Sequence, residues 1–477
     1  MPSSTIGQHF QRFVDAGQPV GEVITVNNFL VSAKGLQPVN IHALVTFEDG
    51  SKGFVQQILE DKVLILHLGS TRLRVGSLAV VQQTELMAKV GKDFIGRVVS
   101  TSGEPLDGKG AIAADATWPI FNHAPPIYER QVLAVQLETG IIAIDSLFPI
   151  VRGQRMALLG DSKLGKSTMA TQIAINQKNT DQIVVYVLIA KRRSDIDNLL
   201  NHLSENGAMK KSIVVVSTIF DSLAASYLAP YVGCAMAEYL WQKANSDVII
   251  IYDDLTTHAH AYREISLLSG VSPGRDSYPG DMFHAHSSLL ERAGRLKKNG
   301  KSLTAIPLMM ADSGDITAFL PTNIMSITDG QWILDNDFFR EGIRPAVHPG
   351  LSVTRVGSRG HSQKQKNQNV QTLKALNAYA KAKEFSHFGT ELSPSAQLDL
   401  VRGEKIRQLL SQVPGETFSL VAQQMLLDIL LESNFAPNID VGILKKTANE
   451  LAALAKNQTD YSHLVETLKA KASGESG

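Results

Sequence analysis

Short apolar runs separated by turn residues fill the chain from Gly21 to about Ala79: Glu22 to Val26, Phe29 to Ala33, Ile41 to Phe47, Gly53 to Leu59 and Lys62 to His67. Runs of this length, with Gly and Asp at the breaks as in Glu48-Asp49-Gly50, predict a small β-barrel or sandwich. From Gln131 to about Ile343 the pattern changes to nearly continuous apolar runs at Met156 to Leu159, Ile183 to Ile189, Ile213 to Val216, Val248 to Tyr252 and Leu303 to Pro307. Strands of that kind are buried on both faces, and the stretches between them hold helices, so a doubly wound, largely parallel sheet is expected. Pro119, Pro125 and Pro126 mark a boundary or wrapped connector ahead of it. Past about Lys366 the strand signal fades. Leu373 to Phe388, Pro394 to Leu410, Phe418 to Leu431 and Gly442 to Ala455 read as helices, followed by a polar tail ending Ser473-Gly474-Glu475-Ser476-Gly477. The expected order is a short N-terminal segment (1–20), a small β-barrel (21–79), a central α/β domain (80–365) and a C-terminal helical bundle (366–477).

Composition narrows the partners. A length of 477 residues with 44% hydrophobic and 19% charged side chains suits a folded chain of about three domains. The 46 basic and 46 acidic residues cancel, which argues against a nucleic-acid backbone as the main partner. The longest apolar runs are under half the length that spans a bilayer, and the first residues show no signal-type apolar core, so membrane contact is expected to be indirect and from a cytosolic face. Cys234 is the only cysteine, which excludes an internal disulfide and points to a small buried residue.

The chemistry begins at Gly160-Asp161-Ser162-Lys163-Leu164-Gly165-Lys166-Ser167-Thr168, a glycine, four residues, then glycine, lysine and serine. It follows an expected strand and precedes Met169 to Ile175, which has helical periodicity. Glycines allow the backbone N–H groups to turn inward while the helix start presents its positive end to phosphate. The central domain is thus a P-loop (RecA-like) α/β nucleotide-binding domain, with ATP or ADP and Mg2+ as ligands. Lys166 is expected to reach the terminal phosphates and Ser167 to coordinate magnesium. Asp253, just past Val248 to Tyr252, is the candidate second magnesium ligand; its neighbour Asp254 also suits a helix cap.

Together with that loop, a set of further motifs resembles the alpha subunit of F-type ATP synthases along nearly the whole chain. They are Thr139-Gly140 with Asp145-Ser146-Leu147, Arg152-Gly153-Gln154-Arg155, Ile251-Tyr252-Asp253-Asp254-Leu255, Pro273-Gly274-Arg275 and Tyr278-Pro279-Gly280-Asp281. Leu289-Leu290-Glu291-Arg292-Ala293, Thr328-Asp329-Gly330, Gly342-Ile343-Arg344-Pro345-Ala346 and Ser352-Val353-Thr354-Arg355-Val356-Gly357-Ser358 continue the series. The resemblance implies a ring of alternating alpha and beta subunits around a rotating stalk, with chemistry mainly at beta sites. Its implied partners are the catalytic beta subunit, the central-stalk gamma subunit and the peripheral-stalk delta and b subunits. The implied place is the cytoplasmic side of the cell inner membrane. Arg355 matches the alpha arginine that crosses to the beta site and stabilises charge on the transferring phosphoryl group; without that match it reads equally as a structural ion-pair residue. Phe339, Arg344 and Pro345 match residues around adenine, and Gln412 a nearby glutamine, while a second family glutamine stands here as Pro414.

Hydrolysis needs a group that positions or deprotonates water. Catalytic members of the family carry a glutamate after the strand that follows the loop's helix, and alpha subunits usually have Gly-Gln-Lys there. This chain has Ala190-Lys191-Arg192, and a protonated lysine offers no acceptor to water. The chain's own site is therefore expected to bind nucleotide without rapid turnover. A homohexameric ATPase of the secretion or flagellar-export type shares the domain order but needs its own glutamate at this point. A helicase-like hexamer needs an aromatic and basic barrel face, which 21–79 lacks. Glu205 and Glu238, in expected helices, read as solvated or paired charges rather than substitute bases.

Several departures from the family stand out. Ser162-Lys163-Leu164 replaces Arg-Gln-Thr, the connector from Thr168 to Ile183 is short, and Asn27-Asn28-Phe29-Leu30 replaces a Gly-Asp-Gly-Ile pattern. The segment before the barrel is only about 20 residues, from which a helix at Ile6 to Ala16 is expected to dock through Phe10, Phe13 and Val14. Set beside the resemblance, these departures imply a divergent or alternative form of the F-type alpha subunit. His258, His260, His284 and His286 form two close pairs, but spacing of two on a helix points the members in different directions, so packed or surface histidines are expected rather than a metal site.

Overall fold

A computed structural model describes residues 3–69, 73–387, 393–433 and 435–474. It contains an N-terminal β-barrel, α/β elements of the nucleotide-binding type and a C-terminal helical bundle. The chain divides into two compact units.

The first unit comprises Met1–Arg130, Gln182–Asn201 and Met209–Leu308. Its barrel closes six antiparallel strands, in the spatial order Val20–Asn27, Leu30–Lys34, Val63–His67, Lys52–Ile58, Leu44–Phe47 and Leu78–Gln83. Alternation puts Val23, Val31, Ala33, Val45, Phe47, Val55, Ile65 and Val81 inside, and closure leaves no edge for further pairing. The run expected from Ile41 starts as a strand only at Leu44, because His42 adopts φ 67° in the preceding turn. The closing strand reaches Gln83, past the end near Ala79 that the turn pattern suggested. The expected N-terminal helix forms at Ser3–Asp15 and lies against this strand with Phe10 buried.

In the same unit Ile183–Lys191 lies between Ser212–Thr218 and Val248–Asp253, and all three run parallel. Ser302–Met310 pairs with Val248–Asp253, and Val98–Ser100 lies outside Ser212–Thr218. Burial from both sides explains the unbroken apolar runs. The helix Leu223–Gln242 packs closely on this sheet at Gly233, where a Cβ would meet Val187 Cγ2 at 2.3 Å. Cys234 is buried there, with its thiol pushed up to about 11 by burial, as its small apolar character suggested.

The second unit comprises Gln131–Asp181, His202–Ala208 and Met309–Gly477. Ala157–Gly160 runs parallel to Gly330–Ile333, which pairs antiparallel with Val353–Thr354. The bundle contains Gln363–His387, Pro394–Leu410, Leu420–Leu431, Val441–Ala452 and Gln458–Ser473. Four of these helices start where a short polar side chain accepts the free N–H groups of the first turn: Ser393 from Ala396, Ser419 from Ala422, Asp440 from Gly442 and Ile443, and Asn457 from Asp460. The last helix occupies the stretch read as a polar tail, and it buries Val465, Leu468 and Ala472. Phe388, at the end of the first expected helical run, and the final three residues lie outside the described residues. Among the described residues, no helix is long and apolar enough to cross a membrane.

Candidate functional site

In the second unit the strand Ala157–Gly160 delivers the chain into the loop, and the helix Lys166–Asn176 leaves it. Gly160 is required by packing, since a Cβ there would lie 2.9 Å from Leu334 Cβ. Gly165, at the helix start, has φ 93°, the left-handed conformation that glycine adopts without penalty. Lys163 takes φ 65° and is exposed, and Asp161 Oδ1 accepts the Ser162 N–H at 2.6 Å. Leu164 is buried and anchors the loop. The Lys166 ammonium folds back over the loop and donates to the carbonyls of Gly160 at 2.8 Å and Asp161 at 2.7 Å. Ser167 and Thr168 are exposed in the first helical turn. Free N–H groups, a helix start and a primary ammonium together form an anion cradle.

The residues expected around adenine lie in the same unit. Phe339 belongs to the short helix Asn336–Arg340, and the Arg344 guanidinium lies 3.4 Å from its ring centroid. Arg344 Nη1 also donates to the Phe339 carbonyl at 2.7 Å and the Ile343 carbonyl at 2.9 Å, and a cis peptide leads into Pro345. One face of Phe339 is therefore covered, and on that side the planar surface on offer is the guanidinium.

Gln412, matched in sequence to a glutamine near adenine, is tied to backbone in this structure. It is 3% exposed, and its Nε2 donates to the carbonyls of Gly140 at 3.0 Å and Glu416 at 2.9 Å, while its Oε1 accepts the Ile142 N–H at 2.6 Å. Both ends of the amide thus hold backbone, which makes Gln412 a clamp on the turn at 140–142. Asp145 organises the same turn. Its carboxylate accepts from Thr139 N–H and hydroxyl, Gly140 N–H and Gln423 Nε2, and burial pushes its pKa up to about 7 against those donors.

Arg355 is exposed, and its guanidinium donates to the carbonyls of Thr328 at 3.0 Å and Met325 at 3.4 Å, at the end of the helix Phe319–Ile327. Helix-end carbonyls hold it in place and leave its charge uncompensated by any carboxylate among the described residues.

Asp253 lies in the first unit at the end of its strand and is joined to Asp254 by a cis peptide. Lys191 reaches both: its ammonium is 2.7 Å from Asp253 Oδ1 and 3.1 Å from Asp254 Oδ2. The approach depends on an irregularity in the strand. Register shifts between Leu188 and Lys191, and Ala190, standing where the family has glycine, adopts φ 46°. Burial works against the ammonium, but the two carboxylate charges and the hydrogen bonds to them override it and raise the Lys191 pKa. Burial also opposes ionisation of Asp254, while Lys191 and the Thr257 donors hold its carboxyl below the ordinary value. Asp254 is at the same time the cap of the helix Leu255–Leu268, accepting the Thr257 N–H at 2.8 Å, as its sequence alternative suggested. The sequence signal for Lys191's partner was its own position, a lysine ending an apolar strand in a chain with two acids ending another. Tyr186, which donates to Asp253 Oδ2 at 3.0 Å, had no such signal inside its apolar run.

Of the remaining candidates, Glu238 is buried and paired with Arg292. His258 and His286 are buried with Nδ1 and Nε2 3.3 Å apart, whereas His260 and His284 are exposed, which is the divergence expected from spacing of two on a helix.

Comparison with known proteins adds an independent line. Residues 140–354 match the nucleotide-binding domain of the ATP synthase alpha/beta family, and residues 364–476 match the C-terminal domain of the ATP synthase alpha/beta chain. An ATP synthase subunit alpha from Dehalococcoides mccartyi is 38% identical over 466 residues, covering 94% of this chain and 92% of the relative. One from Francisella tularensis subsp. novicida is 37% identical over 479 residues, covering 97% and 93%.

Proposed function

The chain belongs to the ATP synthase alpha/beta family as a homologue of F-type alpha subunits, and from that premise we propose that it is the regulatory, nucleotide-binding member of an alpha3-beta3 ring. The ring makes ATP from ADP and phosphate at the expense of a transmembrane ion gradient, or runs the reverse. Its neighbours in this reading are the catalytic beta, central gamma and peripheral delta and b subunits, on the cytoplasmic side of the inner membrane.

In this reading the loop Gly160 to Thr168 holds the phosphates of ATP or ADP, with Lys166 neutralising them, Ser167 offering a hydroxyl to magnesium, and the Arg344 plane and Pro345 bordering the base. Magnesium, when bound to nucleotide, screens phosphate charge. Arg355 serves a neighbouring beta site by stabilising charge on the transferring phosphoryl group. Its exposed, carbonyl-held guanidinium supports that role.

The observation that carries the regulatory reading is Lys191. The position that requires a carboxylate in a catalytic subunit holds an ammonium tied to Asp253 and Asp254, which neither accepts a proton nor orients water. The purified full-length chain is therefore expected to bind ATP, to lose binding in Lys166→Ala, and to show little multiple turnover. Rapid turnover abolished by Lys166→Ala would instead establish a self-sufficient ATPase, and a homohexameric native mass would assign it to the export type.

A further inference from the structure

A cleft of about 640 Å³ lies wholly within the second compact unit, between the helix Gln363–His387 and the segment 338–350. That volume is in the range of sites that take drug-sized molecules. No residue of the loop 160–168 lines it, and of the residues matched to the base only Pro345 does.

The helical wall follows from spacing. Leu373, Leu376 and Ala380 stand three and then four residues apart, so they share one stripe of the helix, and that stripe lines the cleft. The helix packs through a neighbouring face, where Gln368, Thr372 and Ala382 are buried, which leaves the apolar stripe partly exposed. Ile343 and Val347 belong to the other wall, and Phe148 also lines the cleft.

Hydrogen-bond donors outnumber free acceptors among the polar groups of this lining. His348 Nδ1 accepts the N–H groups of Gly350 at 3.0 Å and Leu351 at 3.1 Å, so the ring proton is on Nε2, a donor. The Glu341 carboxylate is shared by the Arg407 guanidinium at 2.6 Å and the Lys383 ammonium at 3.6 Å. Arg407 is held a second time by the Tyr379 hydroxyl at 2.8 Å. Lys383 is the looser of the two cations, since 3.6 Å is too long for a hydrogen bond and its side chain is 40% exposed. Glu384 is exposed and lies about 100° further round the helix from Lys383. One carboxylate therefore answers two cations, and the lysine keeps donors to spare.

We propose that this cleft binds a small apolar organic acid, with its body against Leu373, Leu376 and Phe148 and its anionic end at Lys383 and His348 Nε2. Removing the body from water supplies most of the affinity, and the charge-assisted bond to Lys383 selects the sign of the charge. The site is separate from the phosphate loop and does not depend on the nucleotide-binding reading.

Fluorescence titration of the full-length chain with 8-anilinonaphthalene-1-sulfonate tests it, beside N-phenyl-1-naphthylamine, which has the same rings without the sulfonate. Wild type is expected to bind the sulfonate saturably and about tenfold or more tighter than the neutral amine, with no change when ATP is added in excess. Lys383→Gln is expected to weaken the sulfonate by about fivefold or more and to leave the amine within about twofold. Leu376→Trp, which fills the cleft, is expected to abolish binding of both. Equal affinity of wild type for the two probes means an apolar surface without anion selection and overturns the inference. Competitive displacement of the sulfonate by ATP places it on the phosphate loop and overturns it as well. Sulfonate affinity unchanged in Lys383→Gln, or no saturable binding of either probe, has the same consequence, and the lysine comparison stands even if the tryptophan variant does not fold.

Discussion

Arg292 holds Glu238 with both arms of its guanidinium, Nε to Oε1 at 2.9 Å and Nη2 to Oε2 at 2.7 Å, where neither side chain is more than 1% exposed. Trp118 Nε1 and Asn122 Nδ2 donate to the same carboxylate, and Arg292 Nη1 donates to the Ile120 carbonyl. A carboxylate with this many donors is a structural centre and no substitute base. Arg292→Ala leaves a buried charge unpaired and is expected to lower stability by about 3–5 kcal/mol. The double variant Glu238→Leu/Arg292→Met removes both charges and is expected to recover part of that loss, since Trp118 Nε1, Asn122 Nδ2 and the Ile120 carbonyl then lose these partners. Urea unfolding measures both; an Arg292→Ala midpoint equal to wild type would show that the pair contributes nothing.

Arg355→Ala tests delivery across the ring. In a reconstituted alpha–beta complex, turnover is expected to fall by about a thousandfold or more, with assembly and nucleotide binding by this chain largely unchanged. Steady-state ATPase beside native mass measurement separates the two effects. Loss of assembly would make the arginine a support for the end of the helix Phe319–Ile327, and unchanged turnover would remove it from the mechanism.

Gln412→Ala distinguishes a clamp from a base reader. Because the buried Ile142 N–H loses its partner, while the Gly140 and Glu416 carbonyls keep the Phe418 N–H and Gln172 Nε2, a loss of about 1–3 kcal/mol is expected in denaturant unfolding. The ratio of ATP to GTP affinity is expected to stay as in wild type. A changed ratio with unchanged stability would return Gln412 to the nucleotide.

The buried His258–His286 pair makes the fold acid-sensitive. Burial holds His286 down to about 3, and burial with the neighbouring ring holds His258 well below the ordinary 6.5. Below pH 6.5 the unfolded chain takes up protons that the folded chain refuses, so stability is complete above that value and falls as the pH drops toward 3. Each ring contributes a slope of up to about 1.4 kcal/mol per pH unit. His286→Gln is expected to lose less of its melting temperature than wild type between about pH 7.5 and 5.5; identical losses would place the acid sensitivity elsewhere.

Much of this architecture was legible before any coordinates. Pro394 to Leu410 was read to the residue, because Ser393 with Pro394 is a helix start and the following apolar spacing is regular. The last helix was hidden by composition: Val465, Leu468 and Ala472 lie on one face at helical spacing, but polar neighbours dilute the signal. The start of the third barrel strand was misread because an apolar residue, Ile41, stands in a turn whose left-handed residue is His42 and not a glycine.

The phosphate loop was legible from residue order alone, since two glycines, a lysine and a serine at set spacing between a strand and a helix constrain their own backbone. Residue order determined equally that no carboxylate stands at Lys191. What that lysine does came from packing, because its partners are 62 and 63 residues away, at the end of another strand and at the cap of the helix after it, and meet it through parallel pairing and a local irregularity. The same holds for Gln412, whose amide is committed to a turn some 270 residues earlier in the chain. Local motifs carry their chemistry in their own spacing, whereas a long-range partner depends on packing, which no single segment encodes.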